Sequence, residues 1–423
     1  MSKRVNHGCD RSLIGSVLAL SFAAAVVVLG FGIIMPFLPV YAQILGATTG
    51  LEIGLLSSAF LLTRTFLATF AGSASDKYGR KRIIIVGLFI YTIVSILFAL
   101  SQSWFELLLY RAVQGVASAM VWTPATALVA DLTPPGSRGT AMGLYNAISM
   151  GGWVIGPALG GGIQWYARNV MMMPLTESFR IPFYFSSLTS LIAILLVAFL
   201  VRMPADYKPS RRPLMKFSLK GVDKRFKSTI YAMFFLLFSY GFATSFIEPL
   251  LVYFVQHEYS LSPDEVTSSM AIIFSVSGLL MLVILIYAGR LADRFSKKKI
   301  IAIPTGFAQV LTILMPFSGN VTNIGIVMCA RTATYGMTTP AYTALQQDLL
   351  PRNIRGALTG VFDTFFGIGS FIGPIIGFMM YDGISHSSPF IASGLLGIAT
   401  VIMIMIFAHE PTKEEAKSLA EPV

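Results

Sequence analysis

The chain has 423 residues, 55% of them hydrophobic and only 12% charged, with a mean hydropathy of +0.72. A soluble domain carries roughly a quarter charged residues, so this composition excludes one and indicates a membrane protein. The net charge of +11 would suit a nucleic-acid partner only if it formed a patch, and it does not: with the N-terminus inside, 26 of the 31 Lys and Arg fall on cytoplasmic tails and loops, Arg168 and Arg180 fall outside, and Arg64, Arg111 and Arg331 lie within apolar runs. That bias is the positive-inside rule; it places both termini in the cytoplasm and leaves no reason to invoke nucleic acid.

Apolar runs long enough to cross a hydrocarbon core recur at roughly 13 to 42, 51 to 73, 83 to 102, 104 to 131, 140 to 166, 181 to 201, 228 to 256, 266 to 288, 300 to 318, 321 to 349, 356 to 381 and 388 to 408, which predicts twelve helical spans. The basic N-terminal start leads into an apolar run too long for a signal peptide, so it reads as the first span. Span two carries Arg64 and ends in "GSASDKYGRKR", where Gly72, Asp76, Gly79 and Arg80 gather at the cytoplasmic end. Span four carries Arg111 and ends at Asp131, which together with Asp76 is expected to flank Arg80 as an acid-base-acid cluster. Span five follows Arg138 and contains Gly143, Gly152, Gly156, Pro157, Gly160 and Gly161. Gly152, Gly156 and Gly160 share one face, which suits close approach of another helix, and Pro157 removes a backbone donor midway. Met171 to Met173 read as an external loop feature.

The basic, proline-bearing stretch at 203–227 reads as a cytoplasmic linker between an N-terminal six-helix bundle (1–202) and a C-terminal one (228–423). Beyond it the pattern repeats: Asp293 lies 217 residues after Asp76, Arg355 lies 217 after Arg138, and Gly373-Pro374 lies 217 after Gly156-Pro157. The second charged stretch has Ser296 where the first has Gly79. Glu248 in span seven and Asp363 in span eleven are the two acids well inside apolar runs, a costly position that normally faces a cavity or a partner. Burial and a nearby arginine pull the protonation of such an acid in opposite directions, so alternation between these settings can load and release a proton. Glu248 is the first candidate for that role, with Arg331 and Arg111 near its depth, and Asp363 the second, with Arg64 as its expected partner. A permanent Glu248–Arg331 bridge is the competing structural reading. Tyr145, Trp122, Trp153, Tyr240 and Tyr335 are candidate contacts for a substrate or simply for packing.

Zinc sites, phosphate loops and nucleophile elbows are absent from the sequence, and two cysteines imply no disulfide framework. No cofactor, metal or catalysis is expected, and transport work would draw on a gradient rather than on ATP.

"GSASDKYGRKR" resembles the loop motif of the major facilitator superfamily. Within it, "LGFGIIMPFLP" (Leu29 to Pro39), "LLLYRAVQG" (Leu107 to Gly115) and "GLYNAISMGGWVIGPALGG" (Gly143 to Gly161) are similar to the motifs of the twelve-span drug:proton antiporters. The resemblance implies an all-α membrane fold of two pseudo-symmetric six-helix bundles and a monomer in the cytoplasmic membrane, which exchanges a small amphipathic compound for protons by alternating access. It also implies that the charged stretch around Asp76 serves as a cytoplasmic latch, with Asp293 as its counterpart. Span one carries no acid, although relatives that take cationic drugs often have one there; three buried arginines equally suit an anionic or zwitterionic solute. The alternatives are a carrier of one metabolite, such as a sugar or organic anion, and a receptor-like membrane protein that does not transport.

Overall fold

The computed structural model describes residues 7–134, 137–203, 224–349 and 355–410. Twelve long helices and one short one follow in chain order: α1 (His7–Ile34), α2 (Leu38–Ile44), α3 (Gly50–Tyr78), α4 (Arg80–Leu100), α5 (Trp104–Leu132), α6 (Arg138–Asn169), α7 (Leu175–Leu200), α8 (Lys224–Glu258), α9 (Pro263–Arg294), α10 (Lys297–Leu314), α11 (Val321–Leu349), α12 (Arg355–Gly383) and α13 (Ser388–Phe407). Ten of the twelve are long and apolar enough to cross a membrane; the others, α6 and α11, are of similar length but richer in Gly and Thr. There are no strands among the described residues, as expected where a bilayer leaves each backbone group to be satisfied within its own helix.

Two expectations need correction. Span one is not one helix: Pro36 and Pro39 each lack an N–H, the helix ends at Ile34, and the chain restarts as α2, whose Tyr41 packs its ring 5.5 Å from Phe183 of α7. The charged stretch between spans two and three is not a loop either. Helix α3 runs to Tyr78 and α4 begins at Arg80, so the whole reversal occurs at Gly79, whose φ of 97° is one that a residue with a Cβ rarely adopts.

The chain separates into two compact units. One takes residues 1–47, 59–211 and 270–275; the other takes 48–58, 212–269 and 276–423. Within the first, α1 packs on α6 and α7, and α4 packs on α5 and α7. The second repeats the scheme, with α8 on α12 and α13, and α10 on α11 and α13. Leu20, Ala24, Leu88, Val121, Leu128 and Tyr145 centre the first core, and Ile230, Phe234, Leu237, Ile301 and Phe362 the second. In hydrocarbon, burial gives little drive between helices, so close packing and internal hydrogen bonds hold these units.

The second charged stretch needs no glycine because it is built differently. Ser296 has φ −57° and its hydroxyl accepts from the Lys299 N–H, an ordinary N-cap for α10. Glu410 completes the cap by accepting from Ser296 Oγ at 2.6 Å and the Lys297 N–H at 2.8 Å. Burial pushes the Glu410 carboxyl up, but the bonds from Ser296, Lys297 and Lys298 and the Lys297 charge outweigh it, so the group titrates below the ordinary carboxylate range. A depressed carboxylate stabilises the fold above its unfolded pKa and loses that contribution as pH falls through the folded one. Glu410→Gln is therefore expected to lower the melting temperature near neutral pH by the equivalent of about 1 kcal/mol or less, and to match the wild type in acid. Melting curves across pH check both halves of this expectation.

Candidate functional site

The glycine face of α6 lies against α1. A Cβ on Gly152 would stand 2.7 Å from the Ala25 carbonyl oxygen, one on Gly156 2.8 Å from Gly32 Cα, and one on Gly160 would collide with the Ile33 carbonyl. The second unit repeats the crossing between α12 and α8, where a Cβ on Gly373 would meet the Phe242 carbonyl oxygen at 2.6 Å and one on Gly369 that of Phe238. Gly143 has open space around it, and Gly161 is buried. The motif thus contains three glycines that set helix separation and one, Gly143, that does not.

Where α3 and α5 end and α4 begins, Arg80 is buried and reaches both acids. Its Nη2 lies 3.2 Å from Asp76 Oδ1 and its Nη1 2.9 Å from Asp131 Oδ2. The helix reversal at Gly79 aims the guanidinium back along α3. Nearby, Lys81 Nζ donates to the Ala198 and Val201 carbonyls, capping the C-terminus of α7 with a positive charge. Asp131→Asn removes one of two acids from a buried guanidinium; the loss is expected at about 1–3 kcal/mol, reduced from the fully buried case because both acids stay partly exposed, and is read as a lower melting temperature. Arg138 is exposed at the start of α6 with Nη2 3.5 Å from the Thr133 carbonyl, and Gly72 is only in ordinary contact with Thr123. The side chains of Asp293 and Arg355 lie outside the described residues.

Deeper in the first unit, Arg111 is 2% exposed, lies over the rings of Phe60 and Phe31 at 4.8 and 5.3 Å, and donates from Nη1 to Gln114 Oε1 at 2.8 Å. Gln114 Nε2 in turn donates to Tyr91 Oη. Arg64 lies over the Trp122 ring at 5.6 Å, and Trp122 packs on Tyr145. In the second unit Arg331 donates from Nε to Thr312 Oγ1 at 2.9 Å and stacks over Tyr335 at 4.9 Å. Glu248 is half-buried on α8 and feels the Arg331 charge, yet among the described residues it makes no ion pair within 4.0 Å, so the permanent bridge is not formed here. Asp363 is exposed on α12 and acts electrostatically on Tyr342 of α11. Tyr145 accepts from Thr126 and Tyr335 from Gln309, while Trp153 packs on Phe31. Sequence reasoning passed over Gln114, Gln309, Tyr91, Phe31 and Phe60; uncharged polar residues inside spans were the available signal for the first two. Among the described residues no cluster of His, Cys, Asp or Glu could hold a metal ion.

The family model described as Major Facilitator Superfamily matches residues 20–374 and 233–422. The chain belongs to this superfamily. It is 27% identical over 404 residues to the quinolone resistance protein NorA of Staphylococcus aureus (strain COL), covering 95% of this chain and 99% of that one. It is 26% identical over 396 residues to multidrug resistance protein 2 of Bacillus subtilis (strain 168), covering 92% and 94%. Among solved structures, a D-xylose-proton symporter superposes with a TM-score of 0.72 at 16% identity, covering 94% and 97%, a likeness of fold alone. The superfamily's loop motif can now be read physically: Gly79 makes the reversal, and Arg80 ties the acids of two helices together.

Proposed function

We propose that this protein exports small amphipathic compounds in exchange for protons by alternating access. The observation that carries the reading is similarity over nearly the whole chain to two proteins named for drug resistance. The α1–α6 glycine crossing, made by Gly152, Gly156 and Gly160 of the antiporter motif, supports it. In this reading Glu248 binds the coupling proton, Asp363 is the second candidate with Arg64 as its partner, and Arg331 and Arg111 supply counter-charge. The Arg80 cluster with Asp76 and Asp131 serves as the cytoplasmic latch, with Asp293, Arg138 and Arg355 as further gate residues. The protein works as a monomer without a cofactor, takes up no catalytic role, and keeps both termini in the cytoplasm. A carrier of one metabolite is the second reading; the fold shared with a sugar symporter is compatible with it and does not choose between the two.

The test is proton movement in proteoliposomes, followed with a pH-sensitive dye as lipophilic cations, anions and neutral drugs are added in turn. Substrate-triggered proton flux is the expected result. Passage of a solute with no proton movement for any compound would overturn the antiporter reading in favour of a carrier.

A further inference from the structure

The two units carry the same polar device with two of its parts exchanged. In the first, Tyr91 of α4 faces Gln114 of α5, with Arg111 three residues before Gln114. In the second, the corresponding helices carry the amide and phenol the other way round: Gln309 of α10 faces Tyr335 of α11, with Arg331 four residues before Tyr335. The first chain of bonds is complete. Arg111 donates to Gln114 Oε1, Gln114 Nε2 donates to Tyr91 Oη, and the Tyr91 hydroxyl donates to the Val27 carbonyl at 3.3 Å.

The second is not complete. Gln309 Nε2 donates to Tyr335 Oη at 3.0 Å, but Gln309 Oε1 meets no donor among the described residues, although the residue is only 3% exposed. Arg331 does not supply it: its Nε donates to Thr312, its Nη1 lies 3.9 Å from Met328 Sδ, and its Nη2 meets no acceptor among the described residues. Turning the amide over only exchanges an orphan oxygen for an orphan nitrogen. Gly397 of α13 makes room for the amide itself, because a Cβ there would strike the Gln309 side chain.

A cavity of about 30 Å³ lies against this pair, between α8, α10, α11 and α13. Its wall includes Gln309, Tyr335, Tyr240, Thr305 and Thr338, the two threonine hydroxyls standing 3.4 Å apart. About 10–15 Å³ is enough for one water, which needs two to four polar partners. We propose that this cavity is a hydration site: one or two waters donate to Gln309 Oε1 and accept from the Tyr335 hydroxyl, with the oxygens of Thr305 and Thr338 as further acceptors for their protons. The second unit is thus wet at the position where the first is dry, and its amide–phenol pair is completed by solvent rather than by an arginine. The inference does not depend on proton coupling or on any substrate.

X-ray radiolytic hydroxyl labelling of the purified full-length protein, read by mass spectrometry, tests it. A bound water generates radicals beside the residue it touches, so a buried tyrosine with a water is labelled and one without is not. Tyr91 and Tyr335 are both buried in the same molecule, which makes Tyr91 the internal control. Tyr335 is expected to be labelled severalfold faster than Tyr91, and Gln309→Leu to bring it down towards the Tyr91 rate. Equal rates in the wild type would overturn the proposal. So would labelling undiminished in Gln309→Leu, which would mean that solvent reaches Tyr335 by another route. If the variant does not fold, the wild-type comparison still decides.

Discussion

Gly156→Val is expected to prevent the first unit from assembling, at a cost above the roughly 1–3 kcal/mol typical of overpacking. The reason lies in what the added atoms would meet. A Cβ at Gly156 stands 2.8 Å from Gly32 Cα and 3.0 Å from the Ile33 nitrogen, and both are backbone atoms of a neighbouring helix that cannot rotate aside. Relief requires α1 and α6 to separate along the whole crossing, including at Gly152 and Gly160, and with them the contacts that stand in for hydrophobic drive in a membrane. Gly143→Val is the matched control, because the same addition in the same helix enters open space. Size-exclusion profiles and melting curves of the two variants should diverge, with Gly143→Val close to wild type apart from its helix propensity. The pseudo-symmetric Gly373→Val should behave like Gly156→Val, since its Cβ would stand 2.6 Å from the Phe242 carbonyl oxygen. A Gly156→Val protein that melts like the wild type would mean the helices are not held this close.

This contrast also marks what could be read from the sequence. The helical membrane class, the repeat and the small-residue face follow from run length and spacing along one helix, which sequence records directly. Which helix the face meets does not, and α1 as its partner emerges only from packing. That helix extends to both sides of Gly79 in "GSASDKYGRKR" is hidden because charge density suggests a loop, while one glycine at φ 97° is enough to turn the chain. Ser296 looked like a weakened motif, yet Glu410, 114 residues further on, takes part in the cap and removes the need for a glycine. The amide–phenol pairs were invisible for a related reason: their members lie 23 and 26 residues apart on different helices, and neither carries the charge that drew attention to Arg111 and Arg331.

Glu248→Gln is expected to reduce substrate-triggered proton movement to the background of empty vesicles while leaving the melting temperature and substrate binding near wild type. Glutamine keeps the size of the side chain and its capacity for hydrogen bonds but cannot take up or release a proton, so it separates chemistry from architecture. The geometry makes the two readings of Glu248 distinguishable. If the residue were one half of a static bridge, its neutralisation would strand Arg331 and lower stability. Arg331 is instead held by Thr312 at 2.9 Å and by the face of Tyr335, contacts that Glu248→Gln does not touch. A carboxylate within reach of that charge but not tied to it can change its protonation without breaking the fold, which is what a coupling site requires. Arg331→Gln should give the opposite pattern, with stability lost because the guanidinium's bond to Thr312 and its stacking on Tyr335 are removed. Loss of stability in Glu248→Gln with proton movement intact would assign the residue to structure and pass the coupling role to Asp363, for which Asp363→Asn is the corresponding measurement.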